Sequence, residues 1–205
     1  MTARSSDTPA PDNSDADPDA DSLAGLLLVA SPSLSDTEFA RSVIYLCLHT
    51  AESGAMGVIV NKRQAQPGQD ALFEQLGIEP TPPRRRIGIC NGGPLDPHRG
   101  FVLHSADWSG KDSIAINEDT RLSADLDVLR RIAAGEGPRR ALLALGHAAW
   151  EAGQLENELI HGNAWFVVQP TSELIFGADH GVKWRRALAS LDLDPLAMPD
   201  AVGHA

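Results

Sequence analysis

RSVIYLCLHTAESGAMGVIVNKR, residues 41–63, decides how this chain folds. It holds two apolar runs rich in β-branched residues, RSVIYLCLHT (41–50) and GAMGVIVNKR (54–63), separated only by Ala51-Glu52-Ser53. Branched side chains suit a pleated, half-buried surface, and a three-residue link permits a tight reversal and little else, so the stretch reads as a β-hairpin. A hairpin commits the sheet to antiparallel pairing, because parallel neighbours need a crossover of a dozen residues or more.

Outward from the hairpin the pattern alternates. GLLLVA (25–30) is a short apolar run that reads as a buried strand, and SPSLSDTEFA follows as a loop with a helical turn. DALFEQLGI (70–78) is a short helix with Gly77 as its stop. PPRRRIGICNGGP carries a strand that ends in Gly92-Gly93-Pro94, and RGFVLHSADW and SIAINED supply two more. SADLDVLRRIAAGEG (123–137) reads as a helix with Ser123 as N-cap, Leu126, Leu129 and Ile132-Ala133 at helical spacing, and Gly135 closing it. RRALLALG is a strand. GHAAWEAGQLENEL (146–159) then reads as a single helix, with Ala148, Ala152, Leu155 and Leu159 on its core stripe. WFVVQ (165–169) is a strand, and ELIFG with VKWRRALASLDLD gives one or two closing helices that turn Trp184, Leu188 and Leu191 inwards. Strands partly in hairpins and partly between helices predict an α+β fold, a single domain with a mixed, largely antiparallel sheet. The domain is expected over residues 23–192, between an acidic, disordered tail at 1–22 and a flexible end at 193–205.

The chain has 205 residues, 42% hydrophobic and 22% charged, enough for one well-packed domain. No apolar run is long enough to span a bilayer and no signal-peptide pattern opens the chain, which predicts a cytoplasmic protein with no membrane partner. Cys47 and Cys90 each lie in an apolar run without CxxC spacing, and both read as buried thiols. The net charge is −11, with six aspartates and one arginine in residues 1–22, and an acidic surface argues against nucleic acid. Three arginine clusters (84–86, 130–131 and 139–140) sit at element boundaries and read as solvated charge or as partners of helix C-termini.

Chemical motifs are sparse. The seven histidines show no HxH or HExxH spacing, so no metal or cofactor is expected, and there is no GxSxG serine. GxGxxG and GxxxxGK[ST] are absent as well. No catalytic residue is assigned. On a helix over 146–159, His147, Glu151, Gln154 and Glu158 would share one face with Trp150 at its edge, where a flat or polar ligand could stack and hydrogen-bond. Gly92-Gly93-Pro94 would allow close backbone approach, His104 ends the FVLH strand, and Asn61 ends GAMGVIVN. The expected cleft is therefore Asn61, Gly92, Gly93, Pro94, His104, His147, Trp150, Gln154 and Glu158. Each has a plainer reading as well: a wet helix face, a tight turn, a structural histidine, a turn-capping Asn.

Taken in order, LLLVASPSLSDTEFARSVIYLCLH, GAMGVIVNK, NGGPLDPHRGFVLHS, ALGHAAWEAGQLENEL and NAWFVV resemble the YqgE/AlgH family over residues 24–190. His147 departs from the aromatic usual there, and Ala149 from the glycine that usually precedes Trp150. The resemblance implies a compact domain whose bent, barrel-like sheet is wrapped by helices, in a bacterial cytoplasmic protein of undefined activity. One branch of the family carries a transcription-regulator label. Residues and resemblance together predict a non-catalytic binding or regulatory protein that acts through a partner protein or a small ligand. The alternative is an enzyme using His104 with Glu156 or Glu158 as an acid–base pair in the same cleft.

Overall fold

The computed structural model describes residues 22–50 and 52–194. The predicted acidic tail therefore lies outside the described residues except for Ser22, and so does the predicted C-terminal end except for Leu193 and Asp194. Among the described residues, nine strands and five helices form one α+β domain. The strands are β1 (Leu27–Ala30), β2 (Val43–Thr50), β3 (Gly54–Ile59), β4 (Gly88–Asn91), β5 (Leu95–Ser105), β6 (Ile114–Ala115), β7 (Thr120–Ser123), β8 (Ala141–Trp150) and β9 (Trp165–Val168). The helices are α1 (Gln69–Gln75), α2 (Asp127–Ala133), α3 (Gln154–Ile160), α4 (Ser172–Phe176) and α5 (His180–Ala189).

The hairpin is present as β2–β3, and the sheet runs β6-β7-β5-β8-β3-β2-β1-β9 with every pairing along that path antiparallel. It curls into a half-barrel. One pairing differs: β4 lies parallel to β8, with Gly88 opposite Leu142 and Asn91 opposite Leu145. β1 is buried at all four positions because helices cover both sheet faces. Leu27 and Val29 pack with Trp184, Ala187 and Leu188 of α5, while Leu28 and Ala30 pack with Leu155 of α3 and the indoles of Trp150 and Trp165. A third cluster sets Val128, Leu129 and Ile132 of α2 and Phe73 of α1 against Val102 and Leu143.

Residues 146–159 do not form one helix. β8 runs on through Gly146 to Trp150, Gly153 turns the chain at φ +74°, and only Gln154–Ile160 is helical. The alanine-rich composition suggests a helix, but β3 pairs with Ala148, Ala149 and Trp150 and draws the segment into the sheet. Ser123 likewise ends β7 and caps nothing; Asp125 Oδ1 accepts from the backbone N–H groups of Asp127 and Val128 at the start of α2. Gly135 does end that helix, at φ +80°. Leu191, expected to face inwards, lies 39% exposed beyond the end of α5.

β8 serves two partner sets. Its first half lies between β5 and β4, and its second half pairs with β3. The change falls at Gly146, where φ is +80° and a Cβ would lie 2.5 Å from the Gly93 carbonyl oxygen. Gly92 N–H donates to Leu145 O, and Ile59 N–H donates to Gly92 O. Three glycines thus let two backbones cross at a distance that side chains would forbid.

Candidate functional site

Of the residues expected to line a cleft, Trp150, Gln154 and Glu158 are joined by hydrogen bonds, Gly92 and Gly93 meet the backbone at His147, and Asn61 and His104 are bonded elsewhere. Gly92 and Gly93 are buried against the backbone of Gly146–Ala148, so their lack of side chains serves packing. Pro94 sits at the exposed start of β5. His104 has no exposed surface; its Nδ1–H donates to Ser105 O (3.0 Å) and its Nε2 accepts from Ser123 Oγ (2.9 Å). Burial holds its pKa below the usual value, which leaves a neutral, fully bonded ring. His147 meets Phe101 edge-on, with ring centres 5.5 Å apart.

Trp150 is 6% exposed and belongs to the core. Glu158 Oε2 accepts from the indole N–H of both Trp150 (3.0 Å) and Trp165 (2.8 Å), while its Oε1 accepts from Gln154 Nε2 (2.8 Å). Glu158 is thus committed to two indoles. Glu156 pairs with a histidine that the expectation did not include: His49 Nε2–H donates to Glu156 Oε1 at 2.7 Å, and His49 Nδ1 accepts from Leu23 N–H at 3.0 Å. Both nitrogens are occupied, so this pair ties the residues before β1 to α3 and holds no free base. Asn61 ties the end of the β3 segment to the start of β2, with Oδ1 accepting from Val43 N–H and Nδ2 donating to Arg41 O. It also borders a surface cavity with Lys62, Trp184 and His180.

A different cavity gathers chemistry. It has a volume of about 690 Å³, and Arg63, Arg85, Arg86, Arg139, Arg140 and His180 line it with no carboxylate among the lining residues. The topology explains the gathering. β4 and β8 run parallel and begin side by side, so the arginines just before each strand arrive at the same edge of the sheet. Arg63 follows β3 and bridges to Cys90 of β4. Gln69 of α1 pins the segment by accepting from Ile87 N–H (3.0 Å) and donating to Arg85 O (2.7 Å). Arg85 spans the two strand starts by donating to Arg139 O at 2.7 Å, and Arg140 donates to Ser172 Oγ.

Charge balance within this set is incomplete. Arg86 meets Asp70 (2.9 Å) and Arg139 lies near Asp107 (3.6 Å), but Arg63, Arg85 and Arg140 have no carboxylate partner among the described residues. Below them Lys183 is 1% exposed, and its Nζ donates to Val60 O (2.9 Å) and Ile175 O (2.8 Å) with no carboxylate in ion-pair reach among the described residues. Burial lowers its pKa to about 8. His180 lines the cavity and shares the Val60 carbonyl with this ammonium. Its Nδ1–H donates to Val60 O (3.3 Å) and its pKa is lowered by burial first and by Lys183 next. Cys90 Sγ lies 3.5 Å from His180 Nδ1, but burial pushes the thiol up to about 12, so it is no nucleophile at neutral pH.

A profile of the AlgH-like family matches residues 27–196. The chain belongs to that family. A UPF0301 protein of Gluconobacter oxydans is 58% identical over 183 residues, covering 89% of this chain and 98% of its own length. A UPF0301 protein of Rhodospirillum rubrum is 42% identical, with 89% and 94% covered. Among solved structures, the AlgH protein from Pseudomonas aeruginosa is similar with a TM-score of 0.71 and 35% identity, covering 91% of this chain and 97% of that one. A Corynebacterium diphtheriae protein shares the fold alone, with a TM-score of 0.61 and 23% identity over 81% and 85% of the two chains.

In this AlgH-like chain the arginine cavity went unpredicted. Two of the contributing clusters stand out in the sequence, but each reads there as separate solvated charge. The third cluster, which does not reach the cavity, does read that way at Arg131, which meets Asp127 at 3.8 Å and Glu136 at 3.0 Å. His180 and Lys183 carry no motif at all. The one signal in the sequence is Lys183 itself, a cation inside the final helix on the same face as Trp184 and Ala187. Among the described residues no three His, Cys, Asp or Glu side chains gather as a metal ion would require, and no helix is long and apolar enough to cross a membrane.

Proposed function

We propose that this AlgH-like chain is a cytoplasmic bacterial binding protein, non-catalytic itself, that captures a small anionic ligand in the arginine-lined cavity. One observation carries the reading: five arginines and a histidine line a single hollow without a carboxylate, in a chain whose net charge is −11. Guanidinium groups present paired N–H donors that match a carboxylate or phosphate, and the volume suits a metabolite. A regulatory role, which the family resemblance suggests, would run through ligand-dependent contact with a partner protein. The chain's negative net charge disfavours DNA. The acid–base alternative has less support, because the ring nitrogens of His104 and His49 are both engaged and Glu158 is held by two indoles.

Thermal shift and calorimetry against a set of phosphate-, carboxylate- and sulfate-bearing compounds test the reading. Ligand at about 100 times its Kd stabilises the fold by about 2.7 kcal/mol and raises Tm. Arg63→Ala is the informative variant, because Arg63 is exposed and its side chain has no partner among the described residues. It should leave the free protein's Tm unchanged and weaken binding. If no anion shifts Tm, or if Arg63→Ala binds as tightly as the parent, the proposal fails.

A further inference from the structure

The arginines explain why an anion would enter the cavity; His180 bears on which anion. Val60 O, which also accepts from Lys183, can only accept, so in the tautomer that bonds it the His180 Nδ1 at 3.3 Å carries the ring proton, with Cys90 Sγ 3.5 Å from the same nitrogen. The other nitrogen, Nε2, is then a bare lone pair when the ring is neutral, and among the described residues nothing donates to it. Its edge of the ring lies against Gly88, where a Cβ would stand 3.6 Å from both Cε1 and Nε2. Gly88 and His180 both line the cavity, so the missing side chain leaves this edge uncovered. The charged or titratable groups around the ring are Lys183 one turn along α5, Arg63 beyond β3, Cys90 on β4 and Asp179 just before the helix. Two of these are cations, which oppose a third positive charge on the ring.

We infer that the cavity selects phosphate monoesters over sulfate esters, because the bare Nε2 of His180 requires an oxyanion that arrives with, or shares, a proton. The inference rests on the anion-binding reading of the cavity. A phosphate monoester has its second pKa at about 6, so near neutrality it can keep or regain one P–O–H and donate it to Nε2 while the arginines hold its other oxygens. A sulfate ester carries no proton in this range, and its oxygen would face the nitrogen lone pair to lone pair. The balance is simple: the bound state holds one proton shared between phosphate oxygen and Nε2. Where the free ester is a dianion and the free ring is neutral, that proton comes from solvent.

Isothermal calorimetry with phenyl phosphate and phenyl sulfate on the whole chain is the test. Phenyl phosphate should bind at least about tenfold more tightly at pH 7, as a hydrogen bond to a charged group against an unsatisfied acceptor implies. Repeating the titration at pH 7.5 in buffers of different ionisation heat should reveal close to one proton taken up per phenyl phosphate. His180→Gln, which keeps a polar group near Val60 O, should cut the preference to within about threefold and abolish the proton uptake. Equal affinity for the two esters in the parent protein, or binding without proton uptake, overturns the inference, and neither measurement depends on the variant folding. If neither ester binds, the anion reading of the cavity falls with it; if both bind alike, only the selectivity falls.

Discussion

Lys183 holds a charge where the surroundings favour none, and that has a measurable consequence. Its folded pKa of about 8 is below the ordinary 10.5, so between these values the unfolded chain holds a proton that the folded chain has released. Stability then rises with pH across that window, and the full penalty applies below about pH 8. Cys47 and Cys90 work the other way above pH 9, because burial pushes both thiols up to about 12 and the unfolded thiols ionise first. Comparing the parent with Lys183→Met cancels the thiols. Chemical denaturation should show the parent gaining about 1.2 kcal/mol per pH unit on the variant between pH 8.5 and 10. A flat difference would mean that the ammonium is not desolvated. Glu158 makes a second case. Its replacement by Ala leaves two indole N–H groups without an acceptor and should cost roughly 2–4 kcal/mol in urea denaturation. A loss under about 0.5 kcal/mol would contradict the two bonds.

Among the elements, β8 shows what could be read from the sequence and what could not. The hairpin, the strand at 27–30, α1 with its Gly77 stop and the closing helices were legible because their hydrophobic periods and glycine stops are local. The segment from 146 to 150 misled because its paired alanines favour a helix, while its strand identity depends on β3 beside it. Its burial does alternate as a strand's should: Ala144, Gly146, Ala148 and Trp150 are buried, and Leu145, His147 and Ala149 are less so. The cavity was less legible still, since Arg85 and Arg139 meet through the parallel pairing of β4 with β8, which no local pattern announces. The glycine crossing yields its own prediction. Gly77 has φ +63° with open space where a Cβ would stand, so Gly77→Ala should cost only about 1–2 kcal/mol of backbone strain. Gly146→Ala adds a collision with the Gly93 and Leu95 carbonyls to similar strain and should cost clearly more, measured in the same denaturant series.

For the molecule as a whole, charge separation is the organising fact. An acidic chain concentrates five arginines in one hollow, so the anion proposed to bind there would be held against a background that repels it elsewhere. Its affinity should therefore fall as ionic strength rises, and a titration series from low to about 0.5 M salt that left Kd unchanged would argue for an apolar ligand instead.

The crossing at Gly146 also bears on how the protein comes apart. One continuous strand is a member of both halves of the sheet, so neither half can open without stripping hydrogen bonds from the other. Amide protons at Leu143 and Ala148, on either side of the bend, should exchange with a common opening free energy, and the whole domain should melt as a single cooperative unit.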